Sequence, residues 1–214
     1  MKDIEIITLV LGEIHTNTYI AYHKTTKECF IVDPADSPER IIDTISKNGL
    51  TATAVVLTHG HCDHIMASLE LKEHYGVKIY AGKEEAWMLL DDKVSHTADM
   101  NRAGYVVHQD VFVEDGETLD LIGKKWKAIH TPGHTPGGTC YYCEDEAVMF
   151  SGDTLFRGTY GRCDFVGGDH DTMLRSLFDK LFVLPDDIVV YPGHEMTTTM
   201  GYEKQHNEAL YYRR

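Results

Sequence analysis

Short apolar runs alternate with polar, turn-forming segments along this chain, and the period of the apolar positions switches between two and about 3.6. Ile4–Gly12, Thr18–Tyr22 and Cys29–Val32 are rich in β-branched and aromatic residues, which predicts three strands. Asp33-Pro34 ends the third. Ser37-Pro38-Glu39 then has the form of a helix start, with Ser37 as N-cap, Pro38 at the first helical position and Gly49 as the stop. Ala54-Val55-Val56-Leu57 is apolar without interruption, as expected of a strand buried on both faces. Beyond His59–His64, Ile65/Leu69 and Leu71/Tyr75 recur at i,i+4 and predict a second helix closed by Gly76. Val77–Tyr80 reads as a strand and Lys83–Leu90 as a short helix.

The second half repeats the first in kind. Thr118–Leu121, Lys125–Ile129, Gly138–Tyr142 and Ala147–Phe150 read as strands, His170–Leu181 as a helix and Ile188–Tyr191 as a buried strand. Residues 91–110, between the halves, are polar and without period, and long aperiodic loops of this kind are often functional covers. Strands followed by helices, twice over, predict an α/β architecture with helices outside two central sheets.

Composition narrows the function. The chain has 214 residues, of which 43% are hydrophobic, enough for a full core without staples. No apolar run reaches the roughly 18 residues of a transmembrane helix. The N-terminal apolar stretch contains acidic residues and lacks a small-residue cleavage site, so it reads as a first strand and not a signal peptide. Five cysteines without a secretion signal point to a reducing cytoplasm and not to a disulfide framework. The formal charge of −14 disfavours nucleic acid and membranes as partners, because both call for a basic face. It leaves room for an anionic small substrate, since a bound metal inverts the local field.

The chemistry concentrates in Thr58-His59-Gly60-His61-Cys62-Asp63-His64, three imidazoles and a carboxylate just after a buried strand. On the order of 0.004 chance matches to H-x-H-x-D-H are expected for a chain of this length and composition. His59 and His61, two apart, point the same way at an extended strand exit. Asp63 and His64 open the next helix and face a neighbouring point, so four ligands can serve two metals. Three further strand ends carry a ligand: His134 in Thr131-Pro132-Gly133-His134, Asp153 in Ser151-Gly152-Asp153, and His194 in Tyr191-Pro192-Gly193-His194. Cys62 reads as a buried helix-start residue. Cys140 and Cys143, three apart on a strand, fall on opposite faces and do not chelate. The other histidines, among them His15, His96, His108 and His170, read as solvated or structural.

The order H-x-H-x-D-H, His, Asp, His resembles the metallo-β-lactamase superfamily. Within it, Gly152–Gly158, Gly161-Arg162, Asp164-Phe165 and Pro192-Gly193-His194 resemble the short glyoxalase II-like (hydroxyacylglutathione hydrolase-like) enzymes, which lack the C-terminal helical domain of the full-length forms. The resemblance implies a four-layer αββα sandwich, with residues 1–214 as one domain. It implies two Zn²⁺, with iron as the alternative. One is held by His59, His61 and His134, the other by Asp63, His64 and His194, and Asp153 bridges them. The implied reaction is hydrolysis of an anionic small-molecule thioester or related ester by metal-activated hydroxide, which Asp63 orients. Arg157, Tyr160 and Arg162 are the candidate substrate contacts, the arginines as a bidentate clamp on a carboxylate. The alternative is a mononuclear iron persulfide dioxygenase, which resembles the chain in the same ligands and uses His59, His134 and Asp153.

Overall fold

The computed structural model describes residues 2–213, so Met1 and Arg214, the ends of the 1–214 domain reading, lie outside the described residues. The first sheet takes β1 (Ile4–Leu11), β2 (Thr16–His23), β3 (Glu28–Val32), β4 (Thr51–Leu57), β5 (Lys78–Gly82) and β6 (Val111–Val113), in that order. The second takes β7 (Thr118–Leu121), β8 (Lys124–His130), β9 (Thr139–Cys143), β10 (Val148–Gly152), β11 (Val189–Pro192) and β12 (Thr198–Thr199), again in chain order. In the first sheet β1–β3 pair antiparallel and β3–β6 parallel. In the second only β10 and β11 are parallel.

Side-chain alternation builds the layers. Phe30 and Val32 of β3 and Ala54 and Val56 of β4 face the second sheet, where they join Trp126, Tyr141 and Phe150 in one buried cluster. Phe30 meets Trp126 edge-on at 5.0 Å, and Trp126 stacks on Phe150 at 5.4 Å. Their neighbours Cys29, Ile31, Val55 and Leu57 point the other way, onto Ile41 and Ile45 of α1 (Pro38–Lys47). Both faces of β4 are therefore covered, which explains its uninterrupted apolar run. On the far side, Cys140, Tyr142 and Met149 pack against Met173, Leu177 and Leu181. Cys140 and Cys143 thus fall into different cores, as their spacing requires. The result is the four-layer αββα arrangement. Among the described residues no helix is long and apolar enough to cross a membrane.

Several local readings change. Ser37 precedes α1 without capping it: its backbone is left-handed (φ 49°) and its hydroxyl donates to Asp36 Oδ1 at 3.0 Å. The second helix divides into α2 (Cys62–Ile65) and α3 (Ser68–Tyr75). Lys83–Leu90 divides into a 3₁₀ turn (Lys83–Glu85) and α4 (Ala86–Leu89). α5 spans His170–Arg175 and continues as a wider π-type turn over Ser176–Leu181. The edge strands β6 and β12 and the last helix, α6 (Met200–His206), carry too few apolar positions to show a period.

Candidate metal centre

Four strand ends meet at one edge of the sandwich. The segment after β4 carries His59 and His61, and α2 carries Asp63 and His64. The turns after β8, β10 and β11 carry His134, Asp153 and His194. All seven side chains come together. His61 Nδ1 is 2.9 Å from His134 Nε2. His64 Nε2 is 3.5 Å from Asp63 Oδ2 and 3.3 Å from Asp153 Oδ1. His194 Nε2 is 3.3 Å from Asp63 Oδ2 and 3.5 Å from Asp153 Oδ2. Asp153 Oδ2 also lies 3.6 Å from His134 Nε2, so this carboxylate stands between the two groups. The donor atoms of His59, His61 and His134 lie within 4.8 Å of one another, as do those of Asp63, His64 and His194.

Outer hydrogen bonds set the rings. His64 Nδ1 donates to Asp33 Oδ2 at 2.9 Å, and His134 Nδ1 to the Arg162 carbonyl at 2.7 Å. Thr58 Oγ1 donates to Asp33 Oδ2 at 2.6 Å, which leaves its lone pair to accept from His59 Nδ1 at 3.1 Å. Each of these three rings thereby turns Nε2 toward the cluster, the arrangement that prepares imidazoles for a metal. His59 Nε2, His64 Nε2 and Asp153 Oδ1 are buried there without a well-formed hydrogen bond. Asp33 also belongs to a cluster of metal-ligand spacing with His59 and His64, but Thr58 and His64 already occupy its oxygens. Thr16 Oγ1 donates to Asp63 Oδ2 at 2.7 Å. Gly193 is required by close approach: a Cβ there would fall on Asp153 Oδ1 and 2.7 Å from the His64 ring.

The two groups differ in charge. Burial holds the His59 imidazole well below its ordinary pKa, with the neighbouring His64 ring adding to the effect. Burial likewise pushes His61 down to about 3. Burial acts in the same direction on His64 and His194, but the carboxylates outweigh it. His64 is held well above its ordinary range by Asp63, Asp153 and Asp33, and His194 rises to about 9 through Asp153 and Asp63. Asp63 and Asp153 are correspondingly depressed: burial opposes the shift, and His64 and His194 overcome it.

A cavity of about 640 Å³ opens over the cluster, lined by His61, Asp63, His134, Asp153 and His194 together with apolar Phe156 and Phe165. The three candidate substrate contacts fare differently. Tyr160 lines the cavity, and its hydroxyl is 2.8 Å from His170 Nε2. Arg162 lines it too, but its fork is engaged by both oxygens of Asp164, at 2.6 and 2.7 Å. Arg157 is exposed and lies over the Tyr202 ring, away from the cavity lining. The 91–110 segment supplies His96, Asp99 and Met100 to the rim. His96, read from sequence as solvated or structural, is thus part of the cavity, with Nδ1 2.9 Å from Asp99 Oδ2. Cys62 lines the cavity as well, and burial pushes its thiol up to about 11. Asp33 was visible in the sequence only as a turn and Thr58 only as the residue ahead of the ligand motif, and Thr16 carried no signal.

The chain is similar to known proteins. The profile of the Metallo-beta-lactamase superfamily matches residues 11–194. Hydroxyacylglutathione hydrolase GloC of Haemophilus influenzae is 38% identical over 190 residues, covering 86% of this chain and 88% of that protein. The crystal structure of BLEG-1 B3 metallo-beta-lactamase superposes with a TM-score of 0.90 at 34% identity, covering 96% and 99% of the two chains. TTHA1623, solved in a di-iron-bound form, gives a TM-score of 0.83 at 32% identity and covers 94% and 98%. From the ligand order, the sandwich and these matches, the chain belongs to the metallo-beta-lactamase superfamily.

Proposed function

We propose that the protein is a dinuclear zinc hydrolase that cleaves the thioester, or a related ester, of a small anionic molecule. The observation that carries this reading is the convergence of seven ligand-capable side chains in one cluster, five of them lining a cavity, with His59 Nε2, His64 Nε2 and Asp153 Oδ1 buried there without a hydrogen bond. Leaving such atoms unmade is costly, and a cation satisfies them. Imidazole nitrogens and carboxylate oxygens suit zinc, and the cavity leaves open positions for water and substrate. His59, His61 and His134 would hold one ion, Asp63, His64 and His194 the other, with Asp153 shared. When bound, such ions lower the pKa of water to about 7 and polarise a carbonyl.

The chain's own residues supply the geometry. Thr16 anchors Asp63 Oδ2, so Asp63 is fixed where it orients the attacking water. Asp33, Thr58 and the Arg162 carbonyl hold three rings against rotation. Phe156 and Phe165 form an apolar wall that limits water beside the reacting carbonyl. The choice of a hydroxyacyl thioester follows the GloC relative, a hydroxyacylglutathione hydrolase by name. The five free cysteines suit a reducing cytoplasm.

The test is elemental analysis of protein purified without added metal, followed by hydrolysis assays on hydroxyacyl thioesters. Two zinc ions per chain with turnover is the expected result. One iron per chain with oxygen uptake on a persulfide would replace it with the second reading, a mononuclear iron dioxygenase. That reading takes iron as the metal from the TTHA1623 structure, which holds two irons, and a single site from the proximity of His134 to Asp153, which with His59 make a two-His-one-carboxylate face.

A further inference from the structure

Glu85 is fully buried at the end of the 3₁₀ turn before α4, outside the ligand cluster. Its Oε1 accepts from Gly60 N at 2.8 Å. Its Oε2 accepts from Gly137 N at 2.8 Å and from Thr135 Oγ1 at 3.0 Å. Gly60 sits between His59 and His61, and Thr135 follows His134. One carboxylate therefore joins the two segments that carry the whole all-imidazole triad. We infer that Glu85 is the positioning residue of the first metal site, setting the distance between the His59–His61 segment and the His134 turn. The inference rests on the dinuclear reading above.

The donors favour a charged carboxylate. Two backbone N–H groups address different oxygens, and an ionised carboxylate accepts best at both. Glutamine would turn its NH₂ against one of those donors. The approach is close, because a Cβ on Gly137 would fall on the Glu85 backbone nitrogen and 2.5 Å from Oε2. Among the described residues no Lys, Arg or His is paired with Glu85, and burial pushes its carboxyl up to about 7 against the pull of its three hydrogen bonds. An unpaired buried charge is expensive for a purely structural link. Cations held by the neighbouring imidazoles would compensate it across the loops it joins.

The experiment is stepwise metal removal by chelator competition at fixed pH, on wild type, Glu85→Gln, His194→Ala and the double variant, with thermal midpoints of the metal-free proteins. His194→Ala assigns the steps, since it leaves the all-imidazole triad intact. Glu85→Gln should weaken the first-site step on the order of 10–100-fold, the range for outer partners of metal ligands, and leave the second step within about twofold. The double variant should show the same loss in the one remaining step. Equal weakening of both steps, or of neither, overturns the inference. If Glu85→Gln fails to fold, Thr135→Val removes one donor and should weaken the first step alone by a few-fold; no change there overturns it too. Wild type that takes up no metal refutes the dinuclear reading itself, whereas two tight steps in both wild type and Glu85→Gln refute only the role of Glu85.

Discussion

His59 and His61 are held uncharged by burial, whereas Asp63, Asp153, His64 and His194 form a charged network with alternating sign. The two groups are neighbours, and Asp153 touches both. What separates them is the supply of carboxylates. Where two aspartates are within 3.5 Å of an imidazole, attraction outweighs desolvation and the ring takes a proton. Where the neighbours are other imidazoles, desolvation wins. The second group is thus held mainly by charge, its own and that of Asp33 behind His64. The first must be held from outside, through Thr58, the Arg162 carbonyl and the loop link at Glu85.

The comparison breaks most completely at the shared residue. Asp153→Ala should empty both positions and lower kcat/KM by at least about a thousandfold, beyond the range seen for outer partners. Metal content and activity measured together check it; full metal at either position would remove Asp153 from the bridge.

Protons sharpen the contrast next. A metal entering the second group must displace the proton that His194 holds up to about 9. Lowering the pH from 8 to 6 should weaken that step by about 100-fold per proton displaced. The first step should change less, because burial holds His59 and His61 well below the ordinary imidazole range. Calorimetric titrations at the two pH values should show the difference. In the metal-free protein the sign reverses: the raised pKa of His194 contributes stability that is present below about 6.5 and lost as the pH rises through about 9.

Outer partners come third. Asp33→Asn leaves an acceptor for only part of the Thr58–His64 network and should weaken the second step about tenfold. Chelator competition reads this directly. The smallest effect is expected at Arg157, which is exposed on Tyr202: Arg157→Ala should change kcat/KM by less than about twofold. A larger loss would return Arg157 to the substrate contacts.

Much of the molecule was legible in its residues. β4 could be read because both of its faces are covered, leaving no polar interruption between Ala54 and Leu57. β6 and β12, at the sheet edges, were not. Val111–Val113 and Thr198–Thr199 are too short to show a period, and β6 meets its partner β5 only across the long 91–110 segment. α6 likewise buries only Met200 and Glu203 and leaves no apolar stripe. Ser37 looked like a cap from its type and position, but Asp36 beside it competes for the hydroxyl.

The sequence by itself determined the alternation of strands and helices, the ligand types and their order. Those depend on neighbours along the chain, and H-x-H-x-D-H sits within six residues. Only the tertiary structure decided which nitrogen each ring presents, which rings are charged, and that Asp33, Glu85 and His96 belong to the centre at all. The reason is physical. A tautomer or a pKa is set by groups a few ångströms away, and several of those groups are remote in the chain: Asp33 lies 31 positions from His64, and Arg162 lies 28 from His134. Arg162 is the opposite case: the carboxylate that takes up its fork, Asp164, lies only two positions along the chain.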